Sequence, residues 1–213
     1  MNNKIARIPL TRFTDFINAS NMDRQDVVKD TIDFGEYSPC KDFYKIMRDA
    51  IVSFFKDGGS IEDLEEETAL VHDKKKPQYL LLLHGFKKWV KNKKIVYFGE
   101  KTCDIELNGL KISINPELIL KINGKKTVVK LYFKEGKPIT ERKKDCFIPI
   151  PVLMKSAFAV FGEEYKDYDF AVLDIRNGKF YHITQSTPVE KILLTLNMEA
   201  KSWLAYQSEL QKG

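Results

Sequence analysis

Apolar residues recur at helical spacing in the first third of the chain. Three amphipathic runs are found there, after Thr11, after about Asp23 and after Ser38-Pro39. Serine can cap free backbone N–H groups and proline fits the first helical turn, so Ser38-Pro39 predicts the start of a helix that Gly58-Gly59 ends. Ser60 then opens an acidic helix, whose carboxylates we interpret as a solvated face rather than as a metal site. The pattern thus predicts a helical N-terminal region over residues 1–75.

A further amphipathic helix follows a short linker at Lys74 to Pro77. Its apolar stripe includes Phe86 and Trp89, which we therefore assign to the core rather than to a base-stacking surface. The opposite face and the residues that follow it form the densest basic patch in the chain. The candidate nucleic-acid-binding residues are Lys87, Lys88, Lys91, Lys93 and Lys94.

The period changes to two between Ile95 and Phe133, which is typical of β-strands. Two Asn-Gly dipeptides, at 108–109 and 123–124, are strong signals for two-residue hairpin turns. The pattern predicts one antiparallel meander of three or four strands, with Glu106 opposite Lys111. Pro116 cannot donate to the ladder and is expected at an edge or a bend.

Counting outwards from Asn123-Gly124 fixes the expected register of the second hairpin. Glu117 then faces Lys130, and Asn115 faces Tyr132. Alternation places these four side chains on one face, and it places a set of apolar side chains on the other. We therefore expect one apolar face and one face with a small cluster of polar side chains. The apolar set is Leu118, Leu120, Val129, Leu131 and Phe133.

The last third of the chain predicts a helix, a strand hairpin and a long terminal helix. The first helix is expected from about Pro151 to Phe161, and the strands are expected on either side of Asn177-Gly178. That hairpin would place Asp174 opposite Tyr181. Thr187 and Glu190 have the spacing of a capping box, so the terminal helix is expected to start there.

Composition and charge narrow the class of protein. The 213 residues are 43% apolar, enough for a sizeable core, and the first residues, MNNKIARIPL, lack the apolar run of a signal peptide, so we expect a cytoplasmic protein with no membrane partner. Residues 1–75 carry 11 basic and 15 acidic side chains, a net −4, whereas residues 76–213 carry 24 and 15, a net +9. The basic part suits a polyanionic partner such as nucleic acid. Three widely spaced cysteines are expected to be reduced and buried: Cys40, Cys103 and Cys146.

Common catalytic signatures are absent from the sequence. It contains no phosphate-binding glycine-rich loop, no nucleophile elbow and no zinc-binding spacing, and its three histidines are scattered. The order of predicted elements over about residues 76–183 is helix, three-strand meander, helix, strand. This order resembles the α-β-β-β-α-β core of the PD-(D/E)XK nuclease superfamily.

The resemblance implies that an acidic residue near the second strand and an acid-x-lysine on the third strand bind Mg²⁺ and orient the attacking water. Pro116-Glu117 lies where the first acid is expected, and the segment around Lys130 lies where the acid-x-lysine is expected. The second motif is broken. If Lys130 is the family lysine, its acid has become Val128, and if Lys130 is at the acid position, the lysine has become Tyr132.

Two interpretations of this candidate site remain open. A lysine opposite Glu117 would neutralise the carboxylate and repel a divalent cation, which leaves a cross-strand ion pair. Alternatively, Lys130, Tyr132 and Asn115 form a metal-free pocket for phosphate or another small anion. A displaced acid would restore catalysis, with Glu135, Asp145 and Asp174 as the candidates.

The sequence therefore predicts an α+β domain in restriction-endonuclease-like order, with an N-terminal helical region over 1–75 and a core over 76–213 in one compact unit. The leading hypothesis is a non-catalytic binding or regulatory module that uses no cofactor and binds nucleic acid. The alternatives are an active Mg²⁺-dependent nuclease with displaced ligands and a protein-interaction module. In the latter, the acidic helix after Ser60 and the basic helix after Lys76 would bind other chains or each other.

Overall fold

The computed structural model describes residues 7–33, 42–133 and 146–212, and it has the mixed α+β architecture that the sequence predicts. The helices in this part of the chain are α1 Leu10–Asn18, α2 Arg24–Asp33, α3 Lys45–Lys56, α4 Ile61–Leu70, α5 Lys76–Val90, α6 Pro149–Phe158 and α7 Val189–Leu210. The strands are β1 Arg7–Pro9, β2 Ile95–Gly99, β3 Cys103–Leu107, β4 Leu110–Ile114, β5 Leu118–Ile122, β6 Lys125–Tyr132, β7 Asp169–Asp174 and β8 Lys179–His182.

A five-stranded sheet in the order β2-β5-β6-β7-β8 is the centre of the fold. Strand β6 pairs antiparallel with β5 and parallel with β7. The parallel pair is connected through α6 and the 3₁₀ segment Ala159–Tyr165, because a parallel connection needs a crossover. The outer strands β2 and β8 each run antiparallel to their single neighbour.

The prediction of one continuous meander is wrong. The hairpin β3–β4 forms at Asn108-Gly109 with Glu106 opposite Lys111, as predicted, but it joins a separate three-stranded sheet in the order β1-β4-β3. Strand β1 pairs in parallel with β4, so part of the predicted helical N-terminal region is a strand. Strands β2 and β5 are therefore neighbours in the main sheet although the β3–β4 hairpin lies between them in the chain.

Both faces of the main sheet are covered by apolar clusters. Leu118, Val129 and Leu131 pack with α3, α4 and α5 on one face, as the alternation predicts. On the other face Val128 and Tyr132 pack with α1, α6, α7 and the small sheet. The expectation of one greasy and one polar face is therefore wrong over most of β6, which is buried on both sides from Thr127 onward.

The helix boundaries follow local capping signals only in part. Ser60 and Asp63 form a reciprocal capping box at the start of α4. Helix α3 begins at Lys45, and the predicted start at Ser38-Pro39 lies outside the described residues. At α7 the capping-box prediction is wrong, because the Thr187 hydroxyl accepts the Thr184 N–H and the N-cap residue is Pro188.

Helix α5 packs unusually close to the turn between β7 and β8. A Cβ atom added to Gly85 would overlap the carbonyl oxygen of Ile175 and lie 2.6 Å from that of Arg176. Only glycine leaves room for this approach. The contact fixes α5, and with it the lysines at the end of α5, against the main sheet.

Two of the cysteines lie in the described residues, and both are free thiols. Cys103 and Cys146 are half-buried, not fully buried as the sequence predicts. Cys40 lies outside the described residues. None of the helices within residues 7–33, 42–133 and 146–212 combines the length and apolarity that a bilayer crossing requires.

Candidate functional site

The hairpin β5–β6 brings the predicted amine and carboxylate together. Ile122 pairs with Lys125 and Ile119 pairs with Val128, which confirms the register counted from Asn123-Gly124. Both turn residues have positive φ, 49° at Asn123 and 95° at Gly124, as a type I′ turn requires. The Nζ atom of Lys130 lies 2.5 Å from Oε1 of Glu117.

Glu117 also completes the hydrogen-bond ladder of β6. Strand β5 starts at Leu118, which pairs with Val129. Continuing this register would place Pro116 opposite Leu131, but Pro116 lies before the strand begins. The second carboxylate oxygen of Glu117, Oε2, accepts the Leu131 N–H at 2.7 Å. The Glu117 side chain thus replaces the backbone acceptor that Leu131 lacks. Without it, the buried Leu131 N–H would be unpaired, which would destabilise the fold by about 1–3 kcal/mol.

Lys130 is held on two sides and is nearly enclosed. In addition to Glu117, its ammonium donates to the backbone carbonyl of Asn115 at 2.8 Å. The side chains of Lys130 and Glu117 are 10% and 12% exposed. Both residues thus tie the bend at Pro116 to strand β6, which confirms the bend predicted from the proline.

The side chains of the other two candidates, Asn115 and Tyr132, make contacts elsewhere. The Asn115 side chain is exposed, and its Oδ1 accepts the Ser113 hydroxyl at 3.1 Å. The ring of Tyr132 packs edge-on against Phe147, with ring centroids 5.2 Å apart. Among the four candidate residues, therefore, Lys130, Glu117 and the Asn115 backbone converge, whereas the Tyr132 ring contributes to an apolar cluster.

The position two residues before Lys130 has no metal-binding chemistry. Val128 is fully buried in the same cluster as Tyr132. Within the described residues, no group of three or more His, Cys, Asp or Glu side chains is arranged to hold a metal ion.

Of the three candidate displaced acids, Asp174 lies within the described residues, and Glu135 and Asp145 lie outside them. Asp174 is 4% exposed and accepts the Asn177 side-chain N–H at 2.7 Å. The predicted pairing with Tyr181 is wrong in register, since Asp174 pairs with Lys179 and Val172 pairs with Tyr181. Burial and the nearby Asp174 carboxylate nevertheless raise the pKa of Tyr181.

The five candidate nucleic-acid-binding lysines have different surroundings. Lys87 forms an ion pair with Glu65 of α4, with Nζ and Oε1 2.5 Å apart. Lys93 donates to the carbonyl of Trp89, where it satisfies the C-terminal end of α5. Lys88, Lys91 and Lys94 are exposed.

An open groove of about 820 Å³ runs beside these lysines. Its apolar lining comes from α4 and α5, and its basic lining comes from α5 and from Lys91 directly after it. The apolar residues are Ile61, Leu80, Leu83 and Val90, and the others are His84, Lys87, Lys88 and Lys91.

Three further lysines around the β5–β6 turn were missed by the sequence analysis: Lys121, Lys125 and Lys126. Strand β2 pairs with β5, so Lys94 lies beside Asn123 at this turn. Local spacing gives no signal for this proximity, because it depends on pairing between strands that the β3–β4 hairpin separates in the chain.

Comparison with known proteins gives no family for this chain. No protein-family model matches it, and no curated protein is significantly similar to it in sequence.

Proposed function

We propose that this chain is a non-catalytic binding module on a degenerate nuclease-like scaffold, and that its partner is nucleic acid. The order of elements supports the scaffold part of the proposal. Once the β3–β4 hairpin of the small sheet is set aside, the chain runs α5, β2, β5, β6, α6, β7. With the hairpin left out, this order supports a likeness to the α-β-β-β-α-β order that the resemblance to the PD-(D/E)XK superfamily implies.

The geometry of Glu117 carries the non-catalytic part. Both of its carboxylate oxygens accept hydrogen bonds from protein donors. The acid-x-lysine motif is broken, either at Val128 or at Tyr132, depending on which of its positions Lys130 takes. Two unit charges 4 Å apart interact by about 4 kcal/mol at the effective dielectric near a protein surface. The Lys130 ammonium therefore competes with Mg²⁺ for this carboxylate.

The charge of the chain supports nucleic acid as the partner. Residues 76–213 carry a net +9, and several of their lysines are exposed at the end of α5 and around the β5–β6 turn. Lysines that contact phosphates release condensed counterions, so binding of this kind weakens steeply as salt rises.

A salt series tests this proposal. The full chain is titrated into labelled single-stranded and duplex DNA and RNA, and fluorescence anisotropy is measured from about 50 to 200 mM salt. We expect log Kd to rise linearly with log salt for at least one of these ligands. The same ligands incubated with Mg²⁺ or Mn²⁺ are expected to stay intact. Salt-independent or absent binding would contradict the nucleic-acid part, and metal-dependent cleavage would contradict the non-catalytic part.

The second candidate function is an active nuclease, and the position of Asp174 favours it. This buried carboxylate lies on β7, parallel to β6, and is paired with Tyr132. In that case the wild type cleaves, and Glu117→Ala and Asp174→Asn each abolish cleavage. A wild type that is inactive on all these ligands with either metal counts against this alternative.

The groove between α4 and α5 favours the third candidate, a protein-interaction module. Its apolar lining and its lysines suit an acidic amphipathic segment of a partner protein. Co-purification with one defined protein that persists after nuclease treatment would favour this candidate over nucleic-acid binding.

A further inference from the structure

Two hydrogen bonds join Lys94, in the segment between α5 and β2, to the turn of the β5–β6 hairpin. The Asn123 N–H donates to the Lys94 carbonyl at 2.8 Å, and the Lys94 N–H donates to Oδ1 of Asn123 at 3.1 Å. The lysine-rich segment after α5 and the lysine-rich turn are therefore one continuous surface.

Strand pairing then places several cations and two apolar side chains on the same face. Val96 is opposite Lys121, and Lys121 is opposite Lys126. Phe98, at a bulge between Tyr97 and Gly99, is on this face too, because its ring contacts the Lys126 ammonium. Lys94 directly precedes β2, two residues before Val96, and continues the alternation. We call these five residues the turn patch.

Within the described residues, neighbouring acids do not neutralise the charges of the turn patch. Lys121 and Lys126 lie directly across the hairpin from each other, an arrangement that destabilises a strand pair. Within the described part of the chain, no carboxylate lies within 4.0 Å of the ammonium groups of Lys94, Lys121 or Lys126. The nearby Lys125 differs, because its Nζ lies 2.7 Å from Asp169. A polyanion would relieve the repulsion between Lys121 and Lys126.

An aromatic ring lies open beside these lysines. Phe98 is 48% exposed and Val96 is 56% exposed on the outer strand of the sheet. The Lys126 ammonium lies 4.9 Å from the centroid of the Phe98 ring. By contrast, the aromatic side chains of α5 are buried, so this helix itself offers no exposed ring beside its lysines.

Resting on the proposed function, we infer that the turn patch binds single-stranded nucleic acid. The three lysines contact backbone phosphates, and a base stacks on Phe98. A single strand fits better than a duplex, because a stacked base must be free of its own stack and pair. This assigns the binding surface to the β5–β6 turn instead of the Lys87–Lys88 side of α5.

The test compares variants of the full chain by anisotropy. The variants are the double substitution K121Q/K126Q, Phe98→Leu, the double substitution K87Q/K88Q and, as a charge-matched control, K191Q/K201Q on the exposed face of α7. The probes are a labelled single strand of about 20 nucleotides, longer than the sites of about 4–16 nucleotides that single-strand-binding domains occupy, the matching duplex, and heparin as a polyanion without bases. Circular dichroism melts verify that each variant folds.

We expect K121Q/K126Q to lower the slope of log Kd against log salt by about 1.4, since each phosphate contact on a single strand contributes about 0.7. The α7 control is expected to keep the wild-type slope. Phe98→Leu is expected to weaken single-strand binding about five-fold or more and to leave heparin binding unchanged, because heparin offers no base to stack.

Three results would overturn the inference while the proposed function stands. In the first, K87Q/K88Q loses binding while K121Q/K126Q binds like the wild type. In the second, K121Q/K126Q and the α7 control lose binding equally. In the third, the protein binds only the duplex. Absence of any binding by the wild type would instead overturn the proposed function and this inference together.

Discussion

At the residue scale, Glu117 has a structural role that the sequence pattern does not predict. Its carboxylate lies directly before β5 and accepts hydrogen bonds from the Lys130 ammonium and the Leu131 N–H of β6. Both donor residues are largely shielded from water. A group held in this way stabilises the bend at Pro116. The same contacts give each of its two oxygens a protein donor.

Replacing Glu117 by glutamine keeps the size of the side chain and removes its charge. Lys130 would then be a nearly enclosed cation without a counter-charge, and we expect the free energy of unfolding to fall by about 3 kcal/mol. Urea denaturation followed by circular dichroism measures this loss.

A matched control for Glu117→Gln is Glu106→Gln on β3. Glu106 is also opposite a lysine in an Asn-Gly hairpin, but it is exposed, so its replacement is expected to change stability by less than about 0.5 kcal/mol. Equal effects at both positions would contradict the role assigned to Glu117.

Cys103 is expected to react slowly with alkylating reagents. Burial, assisted by the Asp104 carboxylate, raises the pKa of its thiol to about 11, so little thiolate exists at neutral pH. The rate of iodoacetamide labelling at Cys103, followed by peptide mass spectrometry, should rise about tenfold per pH unit up to this pKa. A rate that levels off near pH 8.5 would show an unperturbed thiol, and Cys103→Ser should remove the high-pH reaction.

At the scale of elements, the contact between α5 and the β7–β8 turn depends on Gly85. Alanine favours a helix over glycine by about 1 kcal/mol, yet its Cβ would overlap two backbone carbonyls here. Because backbone atoms cannot rotate away, we expect Gly85→Ala to destabilise the protein by about 2 kcal/mol or more.

The control for Gly85→Ala is His84→Ala, on the exposed face of the same helix. Thermal melts should show a clearly lower Tm for Gly85→Ala and a nearly unchanged Tm for His84→Ala. A Gly85→Ala variant as stable as the wild type would mean that α5 does not approach the turn this closely.

The hairpins could be predicted from sequence because their turns determine pairing locally. Asn108-Gly109 and Asn123-Gly124 each place φ-permissive residues between alternating strands, so counting outwards gives the correct partners. The assignment of these hairpins to two sheets could not be predicted in the same way. This assignment depends on two pairings between strands that are distant in the chain. Strand β1, only three residues long, pairs with β4, and β2 pairs with β5 although the first hairpin lies between them in sequence.

The candidate site was likewise predictable only in part. The Glu117–Lys130 contact follows from the register, but the hydrogen bond to Leu131 follows from the bend at Pro116, which removes the usual backbone acceptor. The predicted partner of Asp174 was wrong by two residues, because the turn before Lys179 is longer than two residues. The burial of Val128 and Tyr132 needed knowledge of what covers the second face.

At the scale of the whole molecule, strand β6 belongs to two cores at once. Val128 packs with one cluster and its neighbour Val129 packs with the other. The predicted N-terminal region, 1–75, also contributes to both, through Phe13 on one side and Ile51 on the other. We therefore expect the two cores to unfold together.

The two tryptophans allow this to be measured, because each lies in a different core. Trp203 is buried in the cluster with Val128, and Trp89 is buried in the cluster with Val129. Single-tryptophan variants, Trp89→Phe and Trp203→Phe, should each show the same urea midpoint by fluorescence and by circular dichroism. Two different midpoints within one variant would mean that the cores unfold separately.

The β3–β4 hairpin also has a consequence for the time course of folding. Its tight turn allows it to form alone within microseconds, and once formed it shortens the flexible chain that must close to bring β2 against β5. Weakening this hairpin at its turn should therefore slow the assembly of a sheet to which it does not belong.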